Sequence, residues 1–143
     1  MKLFTIGYEG ATVKEVIAAL TATGVKRLVD IRAVPLSRRP GFSKNVLAAH
    51  LVEAGIAYTL LKPLGTPPDG REAARKKNIK RLRKIYLDQL ETTEAIAATA
   101  ELLTLAADEP CCLLCFERNP EECHRSILIE ELGDGVEAEH LFA

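Results

Sequence analysis

The run Cys111-Cys112-Leu113-Leu114-Cys115-Phe116 offers no polar side chain to either face of a strand. Successive side chains of a strand alternate between faces, so a strand that is apolar throughout must be covered on both sides. That is the position of a central strand in a parallel sheet with helices on each face. The rest of the chain repeats what such a sheet needs, short apolar runs separated by longer amphipathic stretches. Leu3 to Ile6 reads as a first strand closed by Gly7, and Leu28 to Ile31 and Ile56 to Leu61 as two more. Thr12 to Thr23 reads as a helix with Val13, Val16, Ile17 and Leu20 on one face and Gly24 as its stop. Ser43 is placed to cap a helix over Lys44 to Ala54, which Gly55 ends.

The second half follows the same logic. Lys62 to Gly70 holds three prolines and two glycines and reads as loop. Arg71 to Leu90 predicts one helix, with Ile79, Leu82, Tyr86 and Leu90 at core spacing, and Thr93 to Ala107 a further helix. Asn119-Pro120-Glu121-Glu122 is a helix start (cap, proline at the first position, acid in the first turn), predicting a helix that runs to Leu132 and stops at Gly133. A last strand is expected over Val136 to Leu141. With no repeats or linkers, 143 residues predict a single α/β domain over 1–143, three layers deep, with a mostly parallel central sheet flanked by helices.

Ligands of such folds bind beyond the carboxyl ends of the strands. The residues that follow each strand are therefore the functional candidates: Tyr8 and Glu9, Asp30 and Arg32, Leu64 and Gly65, Glu117 and Arg118. No apolar run nears the roughly 18 residues of a membrane span, and no basic-then-apolar leader opens the chain. A cytoplasmic protein with reduced thiols and no membrane partner is expected. With no Trp and 5% aromatics, stacking of single-stranded nucleic acid is disfavoured.

The net charge of −1 conceals an asymmetry. Residues 1–84 carry 17 Lys and Arg against 6 Asp and Glu, whereas residues 85–143 carry 2 against 14. The two cations of the acidic half, Arg118 and Arg125, lie seven residues apart.

Three stretches resemble one family. They are Thr5-Ile6-Gly7-Tyr8-Glu9-Gly10, then Val29-Asp30-Ile31-Arg32 with Pro35, Ser37, Arg38 and Pro40-Gly41-Phe42, and last Cys115-Phe116-Glu117-Arg118-Asn119-Pro120-Glu121-Glu122-Cys123-His124-Arg125. Their order and spacing are similar to those of the domain of unknown function 488 family. The resemblance implies an α/β fold and supplies no reaction.

Function is therefore read from side-chain chemistry. Arg32, Arg38, Arg118 and Arg125 are candidates to hold an anion, because the guanidinium fork suits phosphate and carboxylate. Tyr8 and Asp30 would orient the ligand, and Glu117 with His124 would move protons. The expected ligand bears phosphate, a nucleotide or a nucleic-acid end, with hydrolase or transferase chemistry in view. The competing reading of these arginines is internal ion pairing. Cys123, in the first turn of a helix near two arginines, is a candidate nucleophile. Adjacent helical residues point about 100° apart, so Cys123 and His124 are not expected to form a dyad. Cys115, Cys123 and His124 lack a fourth zinc ligand, so neither metal nor cofactor is expected. A Cys115–Cys123 bridge fits the spacing, but the expected compartment favours free thiols. Finally, eight basic residues in fourteen positions from Arg71 to Lys84 make a second reading, a non-catalytic nucleic-acid-binding or regulatory module. Homo-oligomerisation is compatible with either.

Overall fold

Five strands lie side by side in a computed structural model that describes Met1–Ala143. They are β1 (Lys2–Gly7), β2 (Arg27–Asp30), β3 (Ala57–Leu60), β4 (Cys111–Cys115) and β5 (Glu137–Leu141). Their order is β3-β2-β4-β1-β5, and every pairing is parallel. The expected mostly parallel sheet is thus parallel throughout. The apolar strand β4 lies at its centre and is buried at all five positions.

Alternation along β4 explains the three layers. Cys111 and Leu113 join Leu3, Val29, Ile31, Tyr86 and Leu128 on one face, while Cys112 and Leu114 join Phe4, Ile6, Val16, Leu28 and Leu47 on the other. The second face is covered by α1 (Val13–Ala22) and α2 (Lys44–Glu53). The first is covered by residues of α3 (Pro68–Arg75), α4 (Ile79–Leu90), α5 (Thr93–Asp108) and α6 (His124–Leu132). Thr12 and Glu15 close a reciprocal cap on α1, the Glu15 N–H donating to Thr12 Oγ1 at 3.1 Å and the Thr12 N–H to Glu15 Oε1 at 2.9 Å. No helix is long and apolar enough to cross a membrane.

Three boundaries differ from the sequence-based expectation, and each difference matters for the site. Arg71 to Leu90 is two helices, because the chain breaks after Arg75 and Lys77 adopts a left-handed φ of 56°. The loop over Lys62 to Gly70 contains a 3₁₀ turn at Lys62–Leu64, and α3 already begins at Pro68, where a proline is tolerated. The helix expected from Asn119 to Leu132 is a 3₁₀ turn, Pro120–Glu122, followed by an interruption at Cys123. Cys123 is extended, with φ −130° and ψ 153°, and caps α6 instead of continuing it.

β4 separates β1 from β2, so the chain leaves β1 in one direction and returns to the gap later. The carboxyl ends of β1, β2 and β4 consequently converge at a topological switch point.

Candidate functional site

A cleft of about 240 Å³ opens at that point. Its walls are Tyr8 after β1, Arg32, Ala33 and Val34 after β2, Thr66 after β3, and Phe116 and Glu117 after β4. His124 at the start of α6 and Arg71, Ala74 and Arg75 of α3 complete it. Close backbone approach shapes two walls. A Cβ on Gly7 would lie 1.7 Å from the Glu117 carbonyl oxygen, and one on Gly65 would lie 2.2 Å from the Ala33 nitrogen. Both positions need glycine for contact distance, with no special φ required.

Arg32 reaches the cleft already engaged. Its Nε and one terminal nitrogen donate to Asp30 at 2.9 and 2.7 Å, and the other terminal nitrogen donates to the Phe42 carbonyl at 2.7 Å and Tyr8 Oη at 3.3 Å. Burial works against the cation, but Asp30 and Tyr8 more than offset it and hold the guanidinium charged. Asp30 is fully buried and also accepts from Tyr58 Oη at 2.6 Å. Burial, joined by the Asp30 carboxylate, pushes the Tyr58 phenol well above its usual range. Tyr8 stacks on Phe42 with ring centroids 4.4 Å apart and meets Phe116 edge-on at 5.3 Å. Asp30, Arg32 and Tyr8 are therefore brought together as expected, but as an internal ion pair with an aromatic wall.

Arg125 does not line the cleft. It is wholly buried, and its Nε donates to Thr5 Oγ1 at 3.1 Å. Its terminal nitrogens donate to the Glu117 and Arg118 carbonyls at 2.6 and 3.0 Å and to Cys115 Sγ. The arginine thus pins the segment after β4 from behind. Burial lowers its pKa to about 10. Arg118 points outward, donating to the Ala143 oxygen at 2.8 Å and standing over the Phe142 ring. Arg38 is exposed and also lies outside the cleft. Of the four arginines singled out from the sequence, only Arg32 borders this cavity.

His124 and Glu117 do border it. The His124 Nε2 lies 2.8 Å from the Ile31 carbonyl, which assigns the proton to that nitrogen and leaves Nδ1 as the acceptor. Burial lowers the imidazole pKa to about 4, so the ring is neutral near pH 7. Burial raises the Glu117 carboxyl above the usual carboxylate range, with Glu9 and Glu122 adding to the rise and Arg125 opposing it. The expectation that Cys123 and His124 point apart is corrected here. Because Cys123 is an extended cap, its Sγ lies 3.5 Å from His124 Nδ1. It also accepts the Arg125 N–H at 3.5 Å.

Cys115 and Cys123 are bridged as a disulfide in this structure, their Cα atoms 7.3 Å apart, which corrects the expectation of free thiols for this pair; Cys111 and Cys112 are free. A Glu117 carboxylate oxygen lies within 4.8 Å of both sulfurs. The guanidinium of Arg125 against Cys115 places a fixed cation in that cluster, which opposes a metal ion there.

The residues that sequence reasoning passed over are Thr66, Arg71, Arg75 and Phe116. Arg71 and Arg75 belong to the basic stretch Arg71–Lys84 that the sequence offers to nucleic acid, but the helix break separates them from the rest and turns them to the cleft. Their spacing of four residues, one helical turn, was the available signal. Arg71 donates to the Thr66 carbonyl at 2.8 Å, and neither arginine has a carboxylate partner within 4 Å. Elsewhere on the basic stretch, Lys76 pairs with Glu72, Lys77 with Glu122 and Arg83 with Glu130.

The chain belongs to the family described as domain of unknown function DUF488, whose model matches residues 12–132. Neither the curated proteins nor the solved structures include a match.

Proposed function

We propose that this DUF488 member binds a phosphate-bearing ligand, a nucleotide or a nucleic-acid end, in the cleft at the sheet's carboxyl rim. The observation that carries the reading is the pair Arg71 and Arg75. Two guanidinium groups without carboxylate partners open on one cavity with Glu117, a carboxyl that burial pushes above the usual range, on its wall. Charge-assisted bonds from arginine are the strong kind, and unpaired cations at a cleft concentrate anions. Phe116, 43% exposed, offers an apolar face for the sugar or base. Arg32 contributes field and wall, its donors being committed to Asp30, Tyr8 and Phe42. About 240 Å³ is below the roughly 300–1,000 Å³ of sites that enclose drug-sized ligands, so the cleft takes one phosphate with its sugar and leaves the remainder outside.

The same geometry supports hydrolase or transferase chemistry. A carboxyl whose pKa burial raises is better suited to donate a proton to a leaving oxygen, a role worth roughly 10²–10⁴-fold in rate. His124, neutral and fixed by Ile31, supports the wall behind it.

The test is a panel of nucleoside phosphates and end-phosphorylated oligonucleotides, titrated at two salt concentrations. Hydrogen bonds to charged groups contribute about 1.5–3 kcal/mol, so Arg71→Ala and Arg75→Ala should each weaken binding about 10- to 100-fold. Glu117→Gln should bind and fail to turn over. Unchanged binding in the double arginine variant would end the reading. Loss confined to Lys80, Arg81 and Lys84 variants would instead favour the non-catalytic basic module.

A further inference from the structure

We propose that the Cys115–Cys123 bridge is the oxidised end of a redox pair: in the reduced protein Arg125 holds Cys115 as a thiolate, and a hydroperoxide as small as hydrogen peroxide re-forms the bridge. The reasoning begins with Arg125. A wholly buried guanidinium needs a counter-anion, and none of its backbone or hydroxyl partners is charged. No carboxylate lies within 4 Å of it. The one ionisable side chain that it touches is Cys115. The nearby acid, Glu117, favours the Arg125 cation from beyond contact distance and is itself pushed above the usual carboxylate range by burial, while its backbone carbonyl takes the direct hydrogen bond. A thiol against an arginine ionises readily, so the anion falls to Cys115.

Cys123 is placed to complete the pair. Its sulfur faces that of Cys115, and His124 Nδ1 lies at 3.5 Å with its lone pair free to accept the thiol proton. The other titratable neighbours are Glu117, near both sulfurs, and His140, which hydrogen-bonds Thr5 beside Arg125 at 2.6 Å. Both cysteines are 1% exposed, and the adjoining Glu117 and His124 line the cleft, the side from which a reagent as small as hydrogen peroxide would approach them. Cys111 and Cys112 differ in every respect. They lie within the sheet at 0% exposure, and burial raises the Cys111 thiol to about 11 and the Cys112 thiol further.

The chemistry balances. Cys115 S⁻ attacks one peroxide oxygen, a sulfur–oxygen bond forms as the oxygen–oxygen bond breaks, and the departing hydroxide takes a proton from solvent to become water. Cys123 then passes its proton through His124 to the sulfenic oxygen as its sulfur attacks that of Cys115. A disulfide forms and a second water leaves. Two sulfurs are oxidised by one electron each, and one peroxide is reduced by two. None of this depends on a ligand in the cleft.

The experiment uses the reduced, full-length protein. One equivalent of hydrogen peroxide should remove the mass of two hydrogens and yield a single Cys115–Cys123 linked peptide. In Cys123→Ser treated with peroxide and then unfolded, dimedone should label Cys115. The ultraviolet thiolate signal, taken as wild type minus Cys115→Ser, should titrate at least one pH unit below the roughly 8.5 of free cysteine. Serine is close enough in size to keep the fold, and the wild-type measurements need no variant. A thiol titrating at or above the free range, dimedone on another cysteine, or no linked peptide would each overturn the proposal.

Discussion

Replacing Asp30 with asparagine separates the two readings of Arg32. The carboxylate accepts from Arg32 Nε at 2.9 Å, its terminal nitrogen at 2.7 Å, its backbone N–H at 3.1 Å and Tyr58 Oη at 2.6 Å. Both side chains are nearly closed to water, at 0% and 6% exposure. Asparagine keeps the shape but removes the charge, and one of its two atoms cannot accept. Arg32 is then a buried cation with no anion, a situation that costs about 3–5 kcal/mol. With a urea dependence of about 2 kcal/mol per molar, the unfolding midpoint should fall by roughly 1.5–2.5 M. That is survivable for a domain with about 5–15 kcal/mol in hand. Adding Arg32→Met to Asp30→Asn removes the stranded charge and should recover part of the loss, so the two changes will not add. A loss below about 1 kcal/mol, or simple additivity, would refute the internal pairing and return Arg32 to the set of ligand-binding cations.

Two further outcomes follow from the same rim. His124 has a folded pKa of about 4 against an unfolded value near 6.5, so the unfolded chain binds more protons between those limits. Its contribution, up to about 3 kcal/mol, should be intact above pH 6.5 and lost as pH falls toward 4, and a His124→Asn variant should show a shallower decline in urea midpoint over that window. Gly7→Ala would set a Cβ 1.7 Å from the Glu117 carbonyl oxygen, a backbone atom held by Arg125. Overpacking of this kind should cost about 3 kcal/mol or more and lower Tm by about 10 °C in a thermal scan, and an unchanged Tm would refute the close approach.

The layers were legible because β4 is apolar at every position and because α1, α4 and α5 carry apolar stripes. Those signals are local. The site was less legible, and the reasons are specific. Within the Arg71–Leu90 stretch only Asn78, the cap of α4, marks the left-handed turn at Lys77, and no glycine or proline announces it, so the two arginines that face the cleft were merged with the rest of the basic stretch. Asn119-Pro120-Glu121-Glu122 starts a turn of 3₁₀ helix as its cap chemistry requires, but α6 starts afresh at Cys123, whose thiol takes the capping role from the usual hydroxyl or carboxamide. That single extended residue brings Cys123 within reach of His124. For Arg125, helical spacing correctly placed the side chain toward the sheet. It could not show that the partners waiting there were backbone carbonyls contributed by the segment after β4.

The positive charges of this rim thus divide by what surrounds them. Arg32 and Arg125 are buried beneath the cleft and spend their donors on holding three loops in register, one against a carboxylate and one against a thiol and carbonyls. Arg71 and Arg75, on a short helix over the opening, have no carboxylate partner; Arg71 spends one donor on the Thr66 carbonyl, and under the proposed function the remaining donors meet the anion. Between the two tiers, Glu117 and Cys115 share the influence of one guanidinium, and in a poorly solvated site they cannot both ionise freely. An anionic sulfur in the reduced protein would push the Glu117 carboxyl further up. With the sulfurs tied into the bridge, the rise rests on burial, Glu9 and Glu122 alone, so reduction and oxidation should move the Glu117 titration in opposite directions.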